Sequence, residues 1–83
     1  MTLLYFTAPW CVPCRTFGPI MDQVTEMPVT KVDVDQDPAL AQIVNVFSVP
    51  TVVLTDGPKE IARFSGARSL EYVNQFIADH AKR

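Results

Sequence analysis

Apolar residues fall in two rhythms along this chain, and the alternation between them lays out a fold. Leu3-Leu4-Tyr5-Phe6-Thr7 is a short, nearly unbroken apolar and aromatic run, the pattern of a strand buried on both faces in a sheet covered by helices. From Phe17 the apolar positions become Phe17, Ile20, Met21, Val24 and Met27. That spacing keeps to one helical face and predicts a helix from about Cys11 to about Glu26. Pro13 suits its first turn, where an amide donor has no use, whereas Pro19 inside it removes a hydrogen bond and predicts a kink.

Val29-Thr30-Lys31-Val32-Asp33-Val34 reads as a second strand, and the helix before it makes a right-handed βαβ unit with parallel strands. Asp37 as cap and Pro38 as first helical residue announce a short helix to about Val44. Thr51 to Thr55 is a third strand. The turn residues Asp56-Gly57-Pro58-Lys59 join it to a fourth, Glu60 to Ser65, as an antiparallel hairpin. Gly66 closes the hairpin, and Ser69 caps a last helix whose apolar stripe is Leu70, Val73, Phe76 and Ile77. The order is β-α-β-α-β-β-α, predicting one α/β domain over residues 1–83, with a mixed four-stranded sheet and helices on both faces. No linker or internal repeat interrupts it.

Composition agrees with a packed domain. At 83 residues the chain has room for one core, hiding only about 60% of the surface its unfolded form exposes. Its 48% hydrophobic content and 3 glycines oppose disorder, and its 7 prolines are scattered along the chain, most of them marking element ends. Seven basic and nine acidic side chains leave a net charge of -2, with no basic run of the kind that nucleic acid or an anionic membrane requires. Proteins are therefore the expected partners. The N-terminal apolar stretch has no basic lead and breaks at Thr7 and Pro9, short of a signal sequence or a membrane span, so the expected location is cytoplasmic.

The chemistry lies in Trp10-Cys11-Val12-Pro13-Cys14, which holds both cysteines of the chain at a strand-to-helix junction. A loop of two residues constrains the unfolded chain very little, so a purely stabilising disulfide is unrewarding there. A compartment that keeps thiols reduced favours a catalytic or metal-binding pair instead. Cys11 opens the helix, where free amides and the positive end of the helix dipole stabilise a thiolate and bring its pKa below about 8.5. It is the predicted nucleophile. Cys14 lies nearly one turn on, on the same face, and is the predicted resolving thiol, releasing the mixed disulfide by attack on Cys11.

Several of these segments resemble the thioredoxin family. Trp10-Cys11-Val12-Pro13-Cys14 is similar to its Trp-Cys-Gly-Pro-Cys active site, with Val12 in place of glycine. Pro19 resembles its helix-kinking proline. Lys31 and the segment from Asp33 to Pro38 resemble the region after its next strand, and Ser48-Val49-Pro50-Thr51 the loop that carries its cis-proline. With Gly66 and the last helix, the resemblance spans roughly residues 2 to 80. It implies a thioredoxin-like fold, a Cys11-Cys14 redox disulfide, and no cofactor besides. It further implies that Pro50 is cis beside the dithiol and that the Val49 backbone pairs with a target peptide as an added strand. Trp10, the apolar side chains near Cys11, and Gly66 would complete a shallow docking surface, with Val12 and Pro13 supporting the dithiol.

The implied activity is reduction of protein disulfides by a monomer, recharged by a thioredoxin-reductase-like donor or a small thiol, with ribonucleotide reductase as one candidate target. A disulfide oxidase or isomerase, or a non-catalytic module using the fold as a docking surface, are the other readings of this pattern. There are two further departures. Tyr5 stands where the family usually keeps a buried aspartate, and a phenol with a reference pKa near 10 is a poor proton acceptor at neutral pH. Lys31 favours the thiolate only if its side chain points inward. The chain also lacks sequence for the strand and helix with which thioredoxins begin, and so resembles the shortened core shared with glutaredoxins, which usually carry Cys-Pro-Tyr-Cys.

Other patterns carry less. A zinc site normally needs four ligands, and His80, the remaining candidate beside the cysteines, lies far along the chain. Asp33, Asp35 and Asp37 lack the glycine and terminal glutamate of an EF-hand and read as a strand end and a helix cap. Arg15 reads equally as a surface charge or a support for the thiolate.

Overall fold

The computed structural model describes residues 1–81. Its elements are β1 (Thr2–Thr7), α1 (Val12–Met21), β2 (Val29–Asp33), α2 (Pro38–Ile43), β3 (Thr51–Asp56), β4 (Lys59–Ser65) and α3 (Leu70–His80). They follow the order read from the sequence. The four strands form one mixed sheet in the order β2-β1-β3-β4. β1 runs parallel to β2, with Tyr5 opposite Lys31, and antiparallel to β3, with Tyr5 opposite Val52. The β3–β4 hairpin slips register between Leu54 and Thr55. Gly57 in its turn has φ +61°, a conformation that costs glycine little and other residues more.

Strand alternation divides the core into two layers. Leu3, Tyr5, Val52, Leu54 and Phe64 face Phe17 and Met21 of α1 and Val73, Phe76 and Ile77 of α3. On the opposite face Phe6, Val32 and Val53 pack against Ala41 of α2 and Val46 just beyond it. Each fully buried side chain of this size contributes about 1.5–3 kcal/mol relative to exposure. Phe17 is the hub of the first layer. It meets Tyr5 edge-on at 5.6 Å between ring centroids and Phe64 at 6.2 Å, and Phe64 in turn meets Phe76 at 4.9 Å. Such edge-to-face pairs are favoured by the ring quadrupoles.

One boundary differs from expectation. The first helix ends at Met21 rather than near Glu26. Pro19 has no amide to continue the ladder, and beyond it the bonds tighten, with Gln23 N–H donating to Ile20 O and Val24 N–H to Met21 O. Val24 and Thr25 are β-branched and do little to resume a helix. Val24 and Met27 still reach the core, from an irregular connection that leads into β2. The caps are as expected: Asp37 Oδ1 accepts from Leu40 N–H at 3.1 Å, and Ser69 Oγ from Tyr72 N–H at 3.1 Å. Arg63 of β4 joins the layers on the α2 side, donating to the carbonyls of Val44 and Asn45 while its guanidinium pairs with Glu60.

Candidate active site

The site forms where β1 ends. Val34 N–H donates to Thr7 O at 2.9 Å, holding β2 to the last residue of β1, and Cys11 N–H donates to Ala8 O at 3.2 Å, folding the chain back over Pro9 and Trp10. Cys11 is then the N-cap of α1, extended at φ -83° and ψ 109°, with Val12 and Pro13 opening the helix. Its sulfur does what a capping oxygen does elsewhere, accepting the Cys14 N–H at 3.3 Å. A disulfide joins Cys11 to Cys14, with 5.3 Å between their Cα atoms, inside the ordinary range for such a bridge. Both cysteines are nearly closed to solvent, Cys11 4% and Cys14 6% exposed, and they pack with Ala8 against Val34 and Val49.

Ser48-Val49-Pro50 lies against this pair. The Val49–Pro50 peptide is cis. Two contacts fix the loop: Gly66 N–H donates to Pro50 O at 2.9 Å, and Thr51 Oγ1 donates to Ser48 O at 2.8 Å. Gly66 adopts φ +89° at the end of β4, which is why glycine serves there. Among the described residues the backbone of Val49 takes part in no hydrogen bond. Trp10 is 63% exposed beside the dithiol, and its indole N–H donates to the Asp35 carboxylate at 3.0 and 3.2 Å. Trp10 and Val49, with Val34, Val46, Phe47 and Ser48, line a cleft of about 140 Å³.

Pro50, Val49, Trp10, Val12, Pro13 and Gly66 thus gather at the dithiol or on the loops that touch it. Tyr5 lies deeper, 3% exposed, its hydroxyl donating to Thr7 Oγ1 at 3.3 Å and standing beside Gly18 of α1. Lys31 neighbours Tyr5 in register on β2, the sheet's edge strand, and is exposed. It lines, with Tyr5, Met21, Met27 and Val29, a hollow of about 760 Å³ that neither cysteine lines. Three residues to which the sequence reading gave no role at the dithiol enter the site: Asp35, Thr51 and Phe47. Asp35 read as part of a strand end, whereas Phe47, directly before Ser48-Val49-Pro50, is an apolar residue whose exposure only the fold reveals. Among the described residues, no cluster of three or more His, Cys, Asp or Glu could hold a metal, and no helix is long and apolar enough to cross a membrane.

A helix-capping cysteine bridged to a second one turn on, at the end of a sheet's central strand, defines a thiol-disulfide oxidoreductase. Comparison with known proteins narrows the class. The thioredoxin family profile matches residues 1–79, and the chain belongs to that family. It is 33% identical over 85 residues to a thioredoxin of Chlamydia pneumoniae, covering 98% of this chain and 83% of that one. It is 34% identical over 82 residues to a bifunctional thioredoxin reductase/thioredoxin of Mycobacterium leprae, covering 93% of this chain and 18% of that protein. The structure of Fasciola hepatica thioredoxin superimposes with a TM-score of 0.85 at 35% identity, over 95% of this chain and 79% of the other.

Proposed function

We propose that this protein reduces disulfides in other proteins, with Cys11 as nucleophile and Cys14 as resolving thiol. The observation that carries the reading is the dithiol's position, with the Cys11 sulfur at the N-terminus of α1 beside a loop whose Val49 backbone makes no hydrogen bond among the described residues. Amides of the first helical turn favour the Cys11 thiolate over the thiol. That thiolate attacks one sulfur of a target disulfide, and the other target sulfur leaves as a thiolate. A mixed disulfide now joins Cys11 to the target. The Cys14 thiolate then attacks Cys11 Sγ and expels the second target thiolate, so that two electrons have passed to the target and the Cys11–Cys14 disulfide remains. Val49, beside cis-Pro50, holds the target as an added strand while this happens. Tyr5, Val12 and Pro13 shape the dithiol's surroundings without touching the target.

The electron donor is a thioredoxin-reductase-like enzyme, a choice supported by the Mycobacterium leprae relative, in which both activities are named in one chain; a small thiol would serve the same step. The protein works as a monomer in the cytoplasm, and ribonucleotide reductase is among its targets. Replacing Cys14 by serine tests the core of the reading: the variant accumulates a covalent Cys11–target adduct that a reductant releases, and Cys11→Ser forms none. Insulin reduction that persists in Cys11→Ser rejects the assignment. The equilibrium potential of the pair, titrated against dithiol buffers, separates reductant from oxidant. A value near the family reference of about -270 mV supports reduction, and one approaching about -120 mV assigns the protein to oxidation or isomerisation.

A further inference from the structure

Phe47 is a large side chain, directly before the Ser48-Val49-Pro50 loop, that the core does not use. It is 88% exposed, the highest value among the large apolar side chains of the described residues. A single exposed apolar side chain is ordinary on a protein surface, but an aromatic that walls a cleft shared with Trp10 and Val49 has the placement of a binding-surface anchor. Its surroundings give it a shape. Phe47 walls the cleft of about 140 Å³ that it shares with Trp10 and Val49, and also a second depression of about 350 Å³ over Pro38, Ala41 and Gln42 of α2. Val34 and Val46 line both. The two hollows are therefore one groove leading away from the dithiol, with Phe47 as the ridge between them, and no lining side chain is charged.

We propose that Phe47 is a specificity-determining residue: the groove selects disulfide-bearing polypeptides in which an aliphatic or aromatic side chain lies close to the reactive cysteine and packs against this ring. The inference rests on the protein-disulfide reading and specifies its substrate class. The occupant is a polypeptide because Val49, which lines the groove, also packs against the cluster that holds Cys11 and Cys14, so a chain held along Val49 runs beside the groove. Exposed Asp35 and Asp37 flank the groove walls at Val34 and Pro38, so an acidic side chain in the same place meets like charge and is disfavoured.

The test uses two short peptides, each closed by one disulfide and identical except for leucine or serine two residues from a cysteine. Fully reduced protein is mixed with each in a single turnover, and the second-order rate constants are compared as a leucine-to-serine ratio. The wild type is expected to favour leucine, and Phe47→Ala to lower the ratio about tenfold, the equivalent of ~1.4 kcal/mol. Phe47→Leu is expected to restore most of it. Ile43→Ala removes another apolar side chain, 76% exposed but outside both hollows, and leaves the ratio unchanged. With Phe47 so exposed, truncation opens no cavity, and circular dichroism confirms that each variant is folded. A wild-type ratio near one, a ratio kept by Phe47→Ala, or an equal fall in Ile43→Ala overturns the inference alone. If wild-type protein leaves both peptides oxidised, the protein-disulfide reading falls and the inference with it.

Discussion

Thr51→Val tests how the loop beside the dithiol is held. Thr51 is 2% exposed, and its hydroxyl lies 2.8 Å from Ser48 O and 3.0 Å from Ser65 Oγ. A carbonyl can only accept, so the single Thr51 proton goes to Ser48, and Ser65 is the donor in the second bond. Valine keeps the shape and removes both contacts. Ser65 is exposed and turns to water, whereas the Ser48 carbonyl, whose bond to Thr51 is part-buried, loses its donor. The first loss costs a few tenths of a kcal/mol and the second about 1 kcal/mol, for a total of about 1–2 kcal/mol. With an m-value of about 1 kcal/mol/M in urea, the unfolding midpoint falls by about 1–2 M. Ser65→Ala breaks only the weaker bond and is expected to cost less than about 0.5 kcal/mol. The assay is urea unfolding followed by far-ultraviolet circular dichroism at fixed redox state. A midpoint for Thr51→Val within about 0.3 M of wild type, or an equal loss in Ser65→Ala, refutes the assignment of donor and anchor.

Phe17→Ala removes the ring joining Tyr5 to Phe64 and is expected to cost about 3–5 kcal/mol, against a total of about 4–12 kcal/mol for a domain of this length; thermal unfolding should show a large drop in midpoint, and a small one would mean that the layer repacks. Ser69→Ala deletes the N-cap of α3 and should cost about 1 kcal/mol in the same assay. The Arg63 guanidinium holds the Glu60 carboxyl below its ordinary pKa. A depressed folded value means that the pair's stabilisation is present above the ordinary carboxylate pKa and is lost as pH falls through the folded one. Glu60→Gln should therefore flatten the acid side of the stability profile, by less than about 1 kcal/mol because the pair is largely solvated. Parallel acid limbs in variant and wild type would exclude the linkage.

What could be read in the sequence was whatever local rules control. Unbroken apolar runs marked β1 and β3 because both faces of the sheet are covered. Asp37-Pro38 and Ser69 marked helix starts because capping needs only one side chain and the amides after it. The dithiol was legible for the same reason, since helix entry and a two-residue spacing are short-range facts. Where reading stopped short, tertiary placement was responsible. The spacing of Val24 and Met27 suits a helix, yet the core reaches both from an irregular connection once Pro19 has interrupted the ladder. Lys31 belongs to a strand pattern that is indifferent to whether the strand is central or at the edge, and its exposure follows from the order β2-β1-β3-β4. Phe47 is an apolar letter like any other until the fold leaves it outside. Asp35 meets Trp10 across 25 residues of chain, a distance no periodicity reports.

Trp10 is the chain's one tryptophan, and the fold has put that chromophore at the reactive end, half in water, with its indole tied to Asp35. Light absorbed at the red edge of the aromatic band therefore excites the site and leaves the buried tyrosine and phenylalanine rings dark. Emission will follow the dithiol's redox state and the arrival of a target in real time, without a label. The same placement makes this fluorescence a poor witness of the core, because the ring is already largely hydrated before the layers around Phe17 come apart.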